Sequence, residues 1–475
     1  MKKTKIIATL GPSSSGRAKL GKIAAAGMDA VRLNFSHGTH SEYTQIIKDV
    51  RAVAAGEGRP LAIIADIQGP KIRVGEVGPG GVSLSKSEMI KLSSLAVPRA
   101  RRVEIKTIPV SYRKPGGVLS VGDKVLLDDG RLVIKVTRVL SDAEVQCRVI
   151  KGGTLKSRKG INLPGKDIDL PSLTPKDRKD IEFALAAGVD YLAQSFIRTA
   201  GDVIKLRKLA GRLTDRKVRI IAKIEKREAI ENIDEIISEA DAVMIARGDL
   251  GVEIAPERVP YWQKELIRKA RSQARTVITA TQMLESMIEN PTPTRAEASD
   301  VANAVYDGTD CVMLSGETAV GKYPVAAVRT MNRITRTVER SLPGFHPGTA
   351  QPAKSVTRVI SAAACEVADS MKARAIVTPT SSGTTAYEIS KHRPKTPIIA
   401  ISSDHDVVNQ LSLAWGVLPG VVAPAKDTED MFAKAIAAAV AAGLAGKGDM
   451  IVITAGVLVN VPGTTNLIKI HKIDV

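Results

Sequence analysis

The first two thirds of the chain repeat one pattern: a short apolar run rich in β-branched residues, a polar exit, then apolar positions spaced three and four apart. Such runs read as buried strands and such spacing as amphipathic helices. Strands are expected at 5–9, 30–33 and 61–65, with exits at Gly11-Pro12, at Asn34-Phe35-Ser36-His37-Gly38 and at Asp66. Helices are expected at 17–26 and 41–55, each closed by glycine. At Gln68-Gly69-Pro70 the pattern changes. From there to about Pro164 the chain is rich in Gly, Val and Lys, with turn signals at Gly122-Asp123 and Asp129-Gly130 around an apolar stretch at 125–127. That predicts a small all-β insertion. Helical periodicity returns at 174–187, where Thr174 supplies an N-cap and Pro175 the first helical position. Five more strands are expected, at 191–193, 218–222, 242–246, 276–279 and 311–314. Their exits are Ser195-Phe196, Lys223 with Glu225, Gly248 with Asp249, Thr281-Gln282 and Ser315-Gly316-Glu317.

Eight strand-helix units predict an α/β fold, a (β/α)8 TIM barrel with a small β-barrel domain inserted after the third strand. A doubly wound sheet is the alternative, but no GxGxxG follows any strand. Residues 341–352, with three prolines and two glycines, read as a linker. Beyond it a helix at 357–371 and strands at 375–377, 397–401, 417–421 and 450–453 predict a second α/β domain. The expected division is 1–68 with 165–342 for the catalytic barrel, 69–164 for the insertion and 353–475 for a regulatory domain.

Of 475 residues 44% are hydrophobic, enough for a sizeable core in two or three domains. The formal charge of +19 suits phosphorylated small molecules, nucleic acid or an acidic membrane surface alike. Only 3% of the chain is aromatic and no run of six like charges occurs, which argues against nucleic acid. Cys147, Cys311 and Cys365 lie far apart in apolar or amphipathic segments without metal spacing, as core residues of a reducing compartment. The apolar run at 6–10 is too short for a signal-peptide core, and no stretch reaches transmembrane length, so a cytoplasmic protein without membrane contact is expected.

The candidate chemistry concentrates at two neighbouring exits, Lys223-Ile224-Glu225 and Ala246-Arg247-Gly248-Asp249-Leu250-Gly251. A lysine and two carboxylates can hold a hard divalent cation beside a fixed ammonium, which suits an anionic substrate that gains charge during reaction. The plainer reading is that strand ends are polar because they meet solvent. In the second α/β domain, Thr380, Ser381, Ser382, Gly383, Thr384 and Thr385 offer hydroxyls and amides at a helix start, a cradle for one phosphate. The loop lacks the lysine and spacing of a P-loop, and a plain capped helix is its alternative.

Over essentially its whole length the chain resembles the pyruvate kinase family, in its bacterial, potassium-independent form. The resemblance rests on Thr9-Leu10-Gly11-Pro12-Ser13, Arg32-Leu33-Asn34-Phe35-Ser36-His37-Gly38, Gly160-Ile161-Asn162-Leu163-Pro164-Gly165 and the two exit motifs. It extends to Ala280-Thr281-Gln282-Met283-Leu284-Glu285-Ser286-Met287, Pro293-Thr294-Arg295-Ala296-Glu297 and Leu314-Ser315-Gly316-Glu317-Thr318-Ala319. The resemblance implies phosphoryl transfer from phosphoenolpyruvate to ADP, giving pyruvate and ATP in the last step of glycolysis, by a homotetramer. It implies Glu225 and Asp249 as ligands of Mg²⁺ or Mn²⁺, and Lys223 beside the charge that moves onto the enolate. Gly248, Asp249, Thr281 and Ser195 would meet the substrate, and Arg32 and Arg73 the transferring phosphoryl group. Asn34, His37, Arg73 and Lys159 would face the nucleotide. No acid for protonating enolpyruvate stands out, and a water network near Thr281 is expected.

Two departures from the family pattern carry expectations. Many relatives place K⁺ among the equivalents of Asn34, Ser36, Asp66 and the carbonyl of Ile67, and have a carboxylate where this chain has Lys71. One unit charge at about 4 Å is worth about 4 kcal/mol at an effective dielectric near 20, so Lys71 can replace a bound K⁺ and none should be required. Trp415-Gly416 stands where many relatives have Arg-Gly, which leaves open the phosphorylated effector, a sugar phosphate or AMP. Other metal-dependent barrel enzymes of pyruvate or phosphoenolpyruvate, such as aldolases and lyases, need neither the insertion nor the 32–37 stretch. A regulatory protein on a catalytically dead barrel would not need Lys223, Glu225, Asp249 and Thr281.

Overall fold

The structure is a computed structural model that describes residues 2–95, 105–166, 168, 170–342, 355–457 and 465–474. Eight parallel strands close a barrel: β1 Lys5–Thr9, β2 Ala30–Asn34, β3 Ala62–Ile67, β4 Tyr191–Gln194, β5 Arg219–Ile224, β6 Ala242–Ala246, β7 Thr276–Ala280 and β8 Cys311–Leu314. Each strand pairs with its neighbour in sequence, and β1 closes the ring against β8 with Lys5 opposite Cys311. Helices begin where their caps predict. Thr39 and Glu42, Thr174 and Asp177, and Thr294 and Glu297 each form a reciprocal capping box, and Gly308 ends the helix Arg295–Asp307 in the left-handed region.

Alternation along the strands explains what the barrel contains. With a period of two, Ala30, Arg32 and Asn34 of β2, Ala62, Ile64 and Asp66 of β3, and Arg219, Ile221 and Lys223 of β5 share the interior face. Small and apolar members of this set, with Tyr191, Ala193 and Met244, pack the middle of the barrel. The charged ones are left for its two ends. β3 and β5 run about two residues past their expected limits, because the Asp66 and Lys223 charges neutralise each other inside the barrel while Ile67 and Ile224 pack outward into the core.

The insertion has its own core, including Val74, Ile90, Val125, Ile134, Cys147 and Leu163. A six-stranded sheet runs from Ile161–Asn162 through Lys124–Leu127, Leu132–Ser141, Glu144–Lys151 and Met89–Ser93 to Lys106–Pro109. Bridges from Arg73 to Gly160 and from Val74 to Val110 join its two ends and curl it into a small barrel. The expected turn at Asp129-Gly130 is present, with Asp128, Asp129 and Gly130 at φ of 50°, 54° and 81°. Most of the expected linker at 341–352 lies outside the described residues.

The carboxyl-terminal domain is a five-stranded sheet of β9 Ala375–Pro379, β10 Ile398–Ser402, β11 Val417–Val421, β12 Met450–Gly456 and β13 Thr465–Lys472. The order is β11-β10-β9-β12-β13, and β13, which the pattern reading did not predict, pairs antiparallel with β12 at the edge. This domain seals the amino-terminal end of the barrel. Leu413 enters the barrel core, the Tyr191 hydroxyl donates to the carbonyl of Gln410 at 2.8 Å, and the Lys5 ammonium donates to the carbonyl of Val417 at 2.7 Å. Trp415 is buried here between Lys3 and Arg393, whose cations lie 5.0 and 4.7 Å from its ring. All three cysteines are buried free thiols, and burial alone pushes Cys147 and Cys365 up to about 12.

Candidate active site

At the carboxyl ends of β2 to β5 the interior positions bring Arg32, Asp66, Ser195, Lys223 and Glu225 together. The Lys223 ammonium donates to Ser195 Oγ at 2.7 Å and Asp66 Oδ1 at 3.1 Å, and lies 2.9 Å from Glu225 Oε1. Arg32 Nε donates to Asp66 Oδ2 at 2.6 Å, and its Nη1 to Thr9 Oγ1 at 3.1 Å. Burial pulls the Lys223 ammonium toward neutrality, but Asp66 and Glu225 outweigh it and hold its pKa above the ordinary value. Asp66 is likewise desolvated, yet Lys223 and Arg32 hold its carboxyl below the usual range. Glu225 goes the other way: burial, with Asp249 and Asp66 repelling it, outweighs Lys223 and raises its pKa.

The second exit motif forms a short helix, Arg247–Glu253, next to the strained turn after β7. Thr281 and Gln282 both hold positive φ, 65° and 55°, which a β-branched residue adopts only when its surroundings impose it. Arg247 imposes it. Its guanidinium donates to the carbonyls of Thr281 at 2.8 Å and Ala280 at 3.3 Å, and is itself held by Asp300 through two contacts of 2.7 Å. The Gly248 amide donates to Thr281 Oγ1 at 2.8 Å. The amide and the hydroxyl expected to meet one substrate carboxylate are therefore bonded to each other, and a ligand must exchange that bond for its own.

Lys71 lies across this mouth, 3.4 Å from Asp249 Oδ1 and 3.2 Å from Asp129 Oδ1. A Cβ on Gly160 would stand 2.5 Å from Lys71 Cε, so glycine there makes the room. The insertion also reaches the mouth through Asn162, which donates to Glu253 at 3.0 Å, while Lys226 pairs with the same carboxylate at 2.6 Å.

The other expected residues fall into three groups. Asn34 and Ser36 share a turn in which Asn34 Oδ1 accepts from the Ser36 amide at 3.3 Å, while Ser195 Oγ donates to the Ile67 carbonyl at 2.8 Å. Among the described residues Lys71 pairs with Asp249 and Asp129 and with none of Asn34, Ser36 or Asp66, so its ammonium adjoins Asp249 and not that group. His37 is exposed next to the barrel mouth, and Arg73 and Lys159 belong to the insertion, bonded to the carbonyl of Arg158 at 3.0 Å and to Asp128 at 2.8 Å. In the carboxyl-terminal loop the Thr380 hydroxyl accepts from the Gly383 amide at 2.9 Å, and Thr385 is buried against Thr465 at 2.6 Å. That leaves Ser381, Ser382 and Thr384 at the surface, with the last two hydroxyls 2.9 Å apart.

The sequence pattern assigns no role to Arg247, though it lies within an exit motif, nor to Tyr43, whose hydroxyl bonds the carbonyls of Asn34 and His37. A guanidinium one residue past a buried strand was the available signal for the first.

Glu225 and Asp249 are oxygen donors that repel one another across a desolvated space, a set that suits a hard divalent cation. Among the described residues no three His, Cys, Asp or Glu side chains gather as a metal cage. A cation that fills its remaining positions with substrate oxygens and water fits this pair, as Mg²⁺ does.

Family models described as "Pyruvate kinase, barrel domain" and "Pyruvate kinase, alpha/beta domain" match residues 1–328 and 358–471. The chain is 45% identical over 477 residues to a pyruvate kinase of Geobacillus stearothermophilus, covering 100% of this chain and 81% of that one. It is 44% identical over 475 residues to one from Agrobacterium vitis, covering 99% and 98%. A crystal structure of a pyruvate kinase from Cryptosporidium parvum superposes with a TM-score of 0.92 at 36% identity, over 99% of this chain and 96% of that one.

Proposed function

The chain belongs to the pyruvate kinase family and is a phosphotransferase that acts on phosphoenolpyruvate and ADP, and on that premise we propose how its own residues do so. Arg32, fixed by Asp66 and Thr9, holds the transferring phosphoryl group, with Arg73 reaching down from the insertion. Glu225 and Asp249 hold Mg²⁺ or Mn²⁺, which when bound neutralises charge on the transferring group and orients substrate oxygens. Lys223, kept protonated by Asp66 and Glu225, faces the oxygen on which enolate charge develops. The Gly248 amide and Thr281 hydroxyl turn from each other to the substrate carboxylate, and Ser195 keeps Lys223 aimed. Asn34, His37 and Lys159 face the nucleotide. The protonation of enolpyruvate proceeds through water near Thr281.

The observation that carries this reading is the buried Lys223–Asp66–Arg32 chain beside Glu225: cations and carboxylates preset where charge shifts, in a desolvated mouth. We further propose that no K⁺ is needed. Lys71 replaces the monovalent charge from the side of Asp249, as a fixed cation at the mouth and not as an occupant of the Asn34, Ser36, Asp66 and Ile67 group. The protein acts in the cytoplasm as a homotetramer, and a phosphorylated effector held at Ser381, Ser382 and Thr384 activates it. No helix among the described residues is long and apolar enough to cross a membrane.

The test is pyruvate formation from phosphoenolpyruvate and ADP with Mg²⁺ in potassium-free buffer, then with KCl. Full turnover from the start is expected, and Lys71→Glu should turn only when KCl is added. Equal rates of that variant in sodium and potassium buffers would remove the role given to Lys71 and leave the enzyme assignment intact.

A further inference from the structure

The turn that leaves β2 carries Asn34, Ser36 and His37, and its backbone is held from beneath by a side chain of another element. The turn's own closure is slight. The His37 amide donates to the carbonyl of Asn34 at 3.0 Å, and the Phe35 amide to the carbonyl of Asp66 at 2.9 Å. The further hold comes from Tyr43, in the first turn of the helix His40–Gly56. Its hydroxyl donates to the carbonyl of Asn34 at 2.6 Å and to that of His37. A phenol has one proton, so the two carbonyls share it, and both ends of the turn are tied to one point.

Three features fix where that hydroxyl lies. The Tyr43 ring stacks on that of Phe35, with centroids 4.4 Å apart and planes 22° from parallel, and both residues are buried. Gly38 holds a φ of 82°, and a Cβ there would stand 3.0 Å from the Tyr43 oxygen, so glycine leaves the phenol its place. The Thr39–Glu42 capping box starts the helix immediately before Tyr43 and sets the direction in which its side chain departs. Burial, with Asp180 and Glu42 adding to it, pushes the phenol up to about 12, so it stays a donor at neutral pH. The side chains of the turn are less firmly held than its carbonyls. His37 is exposed, and Asn34 Oδ1 accepts from the Ser36 amide at a long 3.3 Å. Where they point therefore depends on the backbone that Tyr43 grips.

We infer that Tyr43 is a positioning residue for the nucleotide: through the carbonyls of Asn34 and His37 it fixes the spacing and direction of those two side chains. The inference rests on the nucleotide role proposed for Asn34 and His37. Tyr43 lies buried beneath the turn and acts through its backbone rather than on the ligand.

Tyr43→Phe keeps the ring and its stacking and removes the hydroxyl alone. KM for ADP should rise about fivefold, the scale of losing one hydrogen bond, while KM for phosphoenolpyruvate rises less. Calorimetric titration of the full-length protein with ADP in the presence of Mg²⁺ should show the same weakening. Amide hydrogen exchange over residues 34–38 should quicken in this variant. Tyr43→Leu removes the ring as well; ADP affinity lost there but kept in Tyr43→Phe would assign the turn to aromatic packing and overturn the inference. Equal rises in both KM values would mean a general disturbance of the mouth and overturn it too. Unchanged exchange in Tyr43→Phe would remove the hold itself and leave the nucleotide assignment standing. Faster exchange with unchanged ADP constants would also sink the inference, and His37→Ala then locates the fault. If the ADP constants ignore that substitution as well, it is the nucleotide assignment that has failed.

Discussion

Strand β5 carries Arg219 to one end of the barrel and Lys223 to the other, and the two cations meet different company. At the carboxyl end Lys223 has Asp66 and Glu225 in contact, and Arg32 has Asp66. Polar groups there are bonded mutually, as Gly248 is to Thr281, and the backbone is strained at Thr281 and Gln282. At the amino end Arg219 shares a distant Asp241 with Arg207 and gives its protons to neutral acceptors, Gln410 and Ser382. One end is preset for exchange of partners; the other joins two domains with positive charge left over. The proposed site and the domain junction thus occupy opposite ends of the same strands, separated by an apolar plug.

The contrast breaks most severely at the first end. Glu225→Gln should lower turnover more than about a hundredfold, the scale of losing one key electrostatic element. Near-wild-type kcat at saturating Mg²⁺ would end the ligand assignment. Next comes Arg247→Lys, which removes the fork that holds the 281–282 turn. If the turn positions the substrate carboxylate as proposed, KM for phosphoenolpyruvate should rise roughly tenfold while kcat falls less. Equal losses in both constants would point to general disorder of the site instead.

The other end should respond in stability. Tyr191→Phe removes the bond to the Gln410 carbonyl, worth about 1 kcal/mol, and should lower Tm by roughly 2 °C with turnover retained. Smallest is a pH effect at His392, whose pKa burial lowers to about 4, with Lys391 adding to it. Between about 4 and the ordinary 6.5 the unfolded chain binds a proton that the folded chain refuses. Stability from this group is therefore present above about 6.5 and lost as pH falls toward about 4. Tm of His392→Gln should fall less steeply across that window than Tm of the wild type. Parallel curves would show that the imidazole does not carry the effect.

Much of the barrel was legible because its strands are buried and their polar exits abrupt. The alternation that places Ile221, Lys223 and Glu225 on one side of β5 is written in the sequence, and so is the convergence of Glu225 with Asp249 from adjacent strands. The grip of Arg247 on two residues with positive φ was not legible, since nothing local at Thr281 or Gln282 signals that backbone. The orientation of Lys71 toward Asp249 depends on how the insertion docks, through Asn162, Asp129 and the space left by Gly160. β13 alternates apolar and polar residues only over 468–471 and is an antiparallel edge strand, a kind the repeated parallel units did not lead one to expect. The burial of Trp415 between Lys3 and Arg393 belongs to the domain junction, which no single segment encodes.

Closure of the ring by β1 against β8 also sets a schedule for a chain made from its amino terminus. β1 can meet β2 early, but its other edge waits for Cys311 and its neighbours, and Lys3 and Lys5 wait longer still for Gly416 and Val417. At about 5–20 residues per second, the roughly 300 residues between β1 and β8 take about 15–60 s to emerge. Throughout that interval the nascent barrel has an open, apolar edge, so chaperone demand should peak late in synthesis and fall abruptly once β8 leaves the ribosome.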